Sequence, residues 1–221
     1  MEIKDKIFVV TGAGNGIGRQ VALLCLYKGA TVVGLDIDKT GLQQTVEMAG
    51  NMAENAAEKL STYICDITDR EKVTAVAREI IKKHKTIDGL LNVAGIIQPF
   101  IKIDALSYDK IEQVMNINFY GTVNMVKTYL PYLQKATGTA VIGNVSSMGG
   151  FLPVPGQSVY GASKAAVKLF TEALYAELLK TNVRVCSILP GAVATNIVAN
   201  SGVEMKQANE TKQTKAAKTK Q

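Results

Sequence analysis

The chain has 221 residues, a mass of 23.7 kDa and 47% hydrophobic residues, enough for one large domain or two small ones with an ordered core. Its formal net charge is +6, but residues 201–221 hold five Lys and two Glu, so half of the excess sits there; the rest lacks the basic stripe with interleaved aromatics that a nucleic-acid partner requires. Three widely spaced cysteines without a CxxC, and a single histidine, His84, in the basic run KKHKT, argue against a disulfide framework, a zinc site and a Ser–His hydrolase.

The charged start MEIKDK runs directly into an apolar strand, so no signal peptide is expected. Apolar runs predict strands at 6–11, 30–36, 61–66, 87–93, 139–146 and 183–189, separated by helices over 17–28, 39–58, 69–84, 107–135 and 158–180. Residues 136–163 carry no charge, yet their six Gly and two Pro preclude one membrane-spanning helix. A soluble, cytoplasmic protein without a membrane partner is therefore expected, and the unpaired cysteines suit a reducing compartment. Strands that are apolar at nearly every position suit a sheet covered on both faces, and the strand–helix alternation predicts right-handed crossovers. The expected fold class is α/β: a Rossmann-type, doubly wound parallel sheet of six strands in one domain over 1–197, followed by a polar basic tail over 198–221. Pro131, inside the predicted 107–135 helix, is expected to kink or break it near Tyr129.

Chemistry-bearing residues gather where these strands end. The first strand runs into TGAGNGIGR (11–19), which places Gly12, Gly16 and Gly18 between a strand and a helix, where missing side chains let the backbone approach a pyrophosphate. The spacing is TGxxxGxG, and the lysine of a P-loop is absent. Asp36 closes the second strand, 18 residues after Gly18, placed to accept hydrogen bonds from ribose hydroxyls and to repel a 2′-phosphate. That favours NAD over NADP, with Arg19 as a counterweight and a turn or helix cap as the plain alternative. CDITD (65–69) sets Asp66 toward an adenine edge, and Thr68 or Asp69 at the cap of the next helix. NVAG (92–95), NVSS (144–147) and LPG (189–191) end the remaining strands. In an open α/β sheet these carboxyl ends share one edge, where ligands bind.

Tyr160 and Lys164 lie at i and i+4 in the last predicted helix and so share one face. With 8 Tyr and 21 Lys in the chain, chance alone supplies about 0.8 such pairs, so the spacing has weight only in context. A free phenol titrates near pH ~10, and a neighbouring ammonium favours its ionised form, which lets it exchange a proton with an alcohol or ketone oxygen.

Taken in order, TGAGNGIG, Asp36, CDI, NVAG, NINFYG, NVSS, YGASK and PGAVAT resemble the short-chain dehydrogenase/reductase family over roughly residues 4–197. The resemblance implies hydride transfer between NAD(H) and a secondary alcohol or ketone, with Tyr160 as general acid/base, Lys164 on the nicotinamide ribose and Ser147 on the substrate oxygen. Ser147 lies 13 residues before Tyr160, as in the family, with Ser146 as its rival. Asn118 of NINFYG, rather than Asn116, would hold a water-based proton relay. The implied cofactor bed comprises Gly12, Asn15, Gly16, Ile17, Gly18, Asp36, Ile37, Asp66, Ile67, Asn92, Ala94 and Gly95, joined by Tyr160, Lys164, Pro190, Gly191, Val193 and Thr195. Val93 stands where the family more often has a second Asn, and the polar run NETKQTKAAKTKQ does not supply the family's seventh strand.

IIQPF (96–100) and GGFLPVPGQ (149–157) should flank the substrate, and Phe100, Phe151 and Leu152 suggest a lipophilic one. The family likeness implies a homodimer or homotetramer through helices 107–135 and 158–180; burial of these helices within one subunit is the plain alternative. The competing functions are a non-catalytic dinucleotide-binding regulator and a truncated, weakly active family member.

Overall fold

Period-two alternation decides how the sheet is covered. In the computed structural model, which describes residues 2–52, 56–193, 197 and 201, strand β1 (Ile7–Thr11) sends Phe8 and Val10 to one face and Val9 to the other. Strand β2 (Thr31–Asp36) does the same with Val32 against Val33 and Leu35. Both faces are apolar, so both demand a helical layer. One face packs against α1 (Gly16–Tyr27) and α2 (Lys39–Met52), through residues such as Leu23, Leu26, Leu42 and Ala49. The other packs against α3 (Arg70–His84), α5 (Thr122–Leu133) and α6 (Ser158–Leu178), through Val76, Ile80, Met125, Tyr129 and Leu174.

Strands β3 (Leu60–Ile64), β4 (Gly89–Asn92), β5 (Ala140–Val145) and β6 (Val183–Ile188) complete a six-stranded sheet of order β3–β2–β1–β4–β5–β6 among the described residues. Every pairing is parallel, so all strand ends with binding chemistry emerge on one edge. The order reverses between β1 and β4, which opens a crevice above the sheet at that point. This is the Rossmann-type sheet expected from the sequence. On β6, Arg184, Cys186 and Ile188 are exposed, so one face of that strand has no covering helix among the described residues.

Two expectations need correction. The 107–135 segment is not one helix kinked near Tyr129. It divides into α4 (Tyr108–Met115), a π turn (Asn116–Gly121) and α5, and Pro131 is carried inside α5 close to its end. The irregularity lies at Asn118, whose side chain is directed to partners outside the helix; π turns of this kind often mark functional positions. Pro131 has no N–H to give the Lys127 carbonyl one turn earlier, yet the helix runs two residues past it to Leu133. Second, His84, whose basic run KKHKT reads as a solvated helix end, is not fully solvated. It is half-buried in the last turn of α3, where burial and then Lys83 lower its pKa. It stands at the amino edge of the sheet, just before β4, away from the strand ends that gather the motifs.

Candidate active site

The first βα turn is shaped by what its glycines leave out. Gly12 takes φ +70°, and a Cβ there would lie 3.0 Å from Ala94 Cα, so the turn and the end of β4 touch backbone to backbone. Thr11 draws them together: its buried Oγ1 accepts from Val93 N at 2.9 Å and Ala94 N at 3.1 Å. A Cβ on Gly18 would sit 2.1 Å from the Gly12 carbonyl oxygen, a backbone atom that cannot swing aside. Gly18→Ala is therefore expected to lower stability by about 1–3 kcal/mol, read from the urea unfolding midpoint. An unchanged midpoint would show that the turn opens freely.

Above this turn lies a cleft of about 360 Å³, bordered by the carboxyl ends of β1 to β4. Gly12, Asn15, Gly16, Ile17 and Gly18 line it from the first turn, where the Asn15 side chain accepts from Gly16 N at 2.7 Å and caps α1. Asp36 and Ile37 line it after β2, Asp66 and Ile67 after β3, and Ala94 and Gly95 after β4. Leu35, Cys65, Ile96, Ile117 and Ile197 join them without having been singled out from the sequence. Cys65, Ile96 and Ile117 sit inside CDITD, IIQPF and NINFYG, and the only sequence signal of Leu35 and Ile197 is adjacency to a motif.

Charge in the cleft is one-sided. Asp36, Asp38 and Asp66 line it, whereas no Lys or Arg does among the described residues. Asp36 Oδ2 accepts from Gly14 N at 2.8 Å and Oδ1 from Asp38 N at 3.0 Å, which fixes the carboxylate at the rim. Asp66 accepts from the Thr68 amide and hydroxyl at 2.8 and 2.7 Å, and Asp69 caps α3 by accepting from Lys72 N. Arg19, the counterweight to Asp36, is turned the other way. Its guanidinium donates to Gly14 O, Gly41 O, Gln44 Oε1 and Thr45 Oγ1, so it braces α1 to α2.

Beyond Gly95 the second group of predicted residues comes together. A Cβ on Gly95 would lie 3.1 Å from both Asn118 Oδ1 and Lys164 Nζ, so the glycine leaves room for the two to converge. Asn118 is fully buried. Its carboxamide accepts from Ile96 N at 2.9 Å and donates to Ile96 O at 3.0 Å and to Ser163 Oγ at 2.9 Å. Its rival Asn116 is exposed. Lys164 is buried and donates to Val145 O at 2.9 Å; desolvation pushes its ammonium down to about 8. Half-buried Tyr160 lies one turn earlier on α6. A Cβ on Gly149 would lie 3.4 Å from the Tyr160 ring and 3.5 Å from Ser147 Oγ, so hydroxyl and phenol border the same small space. Ser146, in contrast, is buried and donates to Lys164 O at 2.6 Å, which removes it as a rival of Ser147.

Of the remaining predicted residues, none that is described lines the cleft. Asn92 is buried with its side chain turned to Asn144, and Asn144 in turn donates to Thr171, so the row ties β4 to β5 and α6. Pro190 O accepts from Met148 N at 2.9 Å, which holds the turn after β6 against the Ser147 turn. Gly191 and Val193 are exposed, and Thr195 lies outside the described residues. Ser201, placed by the sequence in the polar tail, is buried: its hydroxyl accepts from Ile97 N at 2.9 Å and its carbonyl from Lys110 Nζ at 2.8 Å. No helix of the described residues is long and apolar enough to cross a membrane.

The sequence profile of the family described as short chain dehydrogenase matches residues 6–206. Over 195 residues the chain is 34% identical to the 3-oxoacyl-[acyl-carrier-protein] reductase FabG of Thermotoga maritima, covering 88% of this chain and 77% of that one. Among solved structures, a short chain dehydrogenase/reductase from Burkholderia phymatum in complex with NAD aligns with a TM-score of 0.84 at 28% identity, over 90% of this chain and 70% of that one. A protein from Shigella flexneri complexed with NADP aligns with a TM-score of 0.82 at 28% identity, over 90% and 82%.

Proposed function

We propose that this chain, which belongs to the short chain dehydrogenase family of oxidoreductases, transfers a hydride between NAD(H) and a secondary alcohol or ketone. The observation that carries the reading is the convergence of Tyr160, Lys164, Ser147 and Asn118 beside a glycine-walled cleft. The cleft fits a dinucleotide. Gly12, Gly16 and Gly18 leave backbone open beneath the amino end of α1, which favours a pyrophosphate, and Asp36 would take the ribose hydroxyls. Asp66 and Ile67 would meet the adenine, while Ala94 and Gly95 would border the nicotinamide half. When bound, the nicotinamide supplies the hydride chemistry.

The chain's own residues handle the proton. The Tyr160 hydroxyl takes the proton of an alcohol, or gives one to a ketone oxygen, and Ser147 Oγ donates a hydrogen bond to that same oxygen. Lys164, held from behind by Val145 O, sets positive charge where negative charge develops on the phenol oxygen. Asn118 fixes the Ile96 backbone beside them. Phe100, Phe151 and Leu152 are exposed beyond this group, an apolar rim that suits a lipophilic substrate. The Thermotoga relative is named for a ketone that carries an acyl chain, which is compatible with such a rim. Alanine-rich α6 exposes Leu169 and Tyr175, with exposed Leu179 capping its end, a face suited to a homodimer or homotetramer, and three free cysteines suit the cytoplasm.

The one-sided charge supports NAD over NADP. NADH is expected to bind at least about tenfold tighter than NADPH, a difference of about 1.4 kcal/mol, in a fluorescence titration. Asp36→Ala is expected to bring the two affinities within about threefold of each other by removing the repulsion of the 2′-phosphate. Equal binding of both nucleotides by the unmodified protein would refute the preference.

A further inference from the structure

Gln98, which follows β4 in the segment IIQPF, has no exposed surface. Every polar group of its side chain is engaged. Oε1 accepts from Val159 N at 2.8 Å and Tyr160 N at 2.9 Å, and Nε2 donates to Gly156 O at 2.9 Å. Its backbone carbonyl accepts from Gln157 Nε2 at 2.8 Å. The first amides of a helix have no intrahelical partner, and Gln157, at the cap position of α6, makes no side-chain bond to them. Gln98 therefore caps α6 from a loop some sixty residues away in sequence, and one of the two amides it holds belongs to Tyr160.

The carbonyl of Tyr160 is held as well. Ser163 Oγ donates to Tyr160 O at 2.7 Å and accepts from Asn118 Nδ2, while Asn118 grips both backbone groups of Ile96, two residues before Gln98. These bonds close a ring: Asn118, Ile96, Gln98, Tyr160, Ser163 and back to Asn118. The two loops also meet directly. Gly156 takes φ +81°, and a Cβ there would lie 3.2–3.4 Å from the backbone of Phe100 and Ile101.

We propose that Gln98 is a positioning residue for the reaction: its carboxamide fixes the backbone of Tyr160 relative to Asn118 and locks together the two loops that flank the substrate. The proposal rests on the reading of Tyr160 as acid/base. A displacement of about 1 Å at the reacting group costs on the order of 100-fold in rate.

The test uses the full chain with NADH and a ketone it reduces, and compares Gln98→Met, which keeps the volume but not the acceptor, with Gln98→Glu, which keeps the acceptor. Gln98→Met is expected to speed amide exchange at Val159 and Tyr160 at least about tenfold and to lower kcat about 10–100-fold. NADH affinity and exchange in β5 should stay within about twofold of the parent. Gln98→Glu is expected to restore protection at the two amides and to bring kcat back to within about fivefold. Parental exchange at both amides in Gln98→Met overturns the proposal, and so does faster exchange with parental kcat. A loss of NADH affinity and of β5 protection in step with kcat overturns it too, by reducing Gln98 to a stability role. Tyr160→Phe separates the two claims: full turnover there sinks the acid/base reading, whereas slow turnover there beside parental exchange and kcat in Gln98→Met sinks only the positioning role.

Discussion

Tyr160→Phe is expected to lower kcat by about 10²–10⁴-fold while leaving NADH affinity within about twofold, because the substitution removes one hydroxyl and nothing that lines the cleft. The phenol is half-buried beside Ser147, so a phenyl ring fits the same space and the fold should not change. Steady-state reduction of a ketone panel, paired with NADH fluorescence titration, reads both quantities. A dinucleotide-binding regulator would show neither loss. Parental turnover in the variant would therefore refute the assignment of the proton to this residue.

Lys164→Met should affect rate and stability in opposite senses. Loss of the ammonium one helical turn after Tyr160 is expected to lower kcat about 100-fold or more. The folded protein without nucleotide should nonetheless gain stability. Lys164 is buried with one hydrogen bond, and desolvation holds its pKa at about 8 instead of 10.5. Keeping it charged in the fold costs on the order of 3 kcal/mol, against about 1–2 kcal/mol for the buried Val145 carbonyl that methionine leaves without this donor. The net gain at pH 7 is roughly 1–2 kcal/mol in urea unfolding. The sign with pH follows from proton counts. Below about pH 8 both states hold the proton and the cost is fully present. Between about 8 and 10.5 the unfolded chain holds a proton that the folded chain has released, so the stability of the parent rises with pH. The advantage of Lys164→Met should shrink across that window. A variant less stable than its parent at pH 7, or a difference flat in pH, would show that the lysine is not held against its charge.

Both results together would describe a site in which stability is given up for chemistry. A buried lysine has little structural reason to be there, since a methionine of similar length fills the same volume at lower cost. On the proposed reading its positive charge serves a group that becomes negative, and Gly95 leaves room beside Lys164 Nζ by having no Cβ.

Much of this was legible in the chain. Apolar runs of six to eight residues alternating with longer amphipathic ones dictate a parallel sheet covered on both faces. Parallel strands then carry TGAGNGIG, Asp36, Asp66 and Ala94–Gly95 to one edge without further information, because every strand must end on the same side. The helical spacing of Tyr160 and Lys164 puts them on one face by local geometry alone. These features depend on neighbours within a few residues, and short-range periodicity records them.

What the sequence left open depends on contacts between distant segments. Nothing local distinguishes Ser146 from Ser147; burial of the first against Lys164 O does. Nothing local shows that Asn92 turns to Asn144 instead of the cleft, that Arg19 braces two helices, or that Asn118 interrupts a helix to reach Ile96 and Ser163. Gln98 carries no motif at all. The sequence by itself determined the strand–helix order, the glycine turn and the one edge of the sheet at which the candidate site residues gather. The tertiary structure alone decided which side chains face the cleft and which brace it, since hydrogen bonds that span tens of residues form only once the sheet has brought their ends together, and a buried polar group must then find its partner or be expelled.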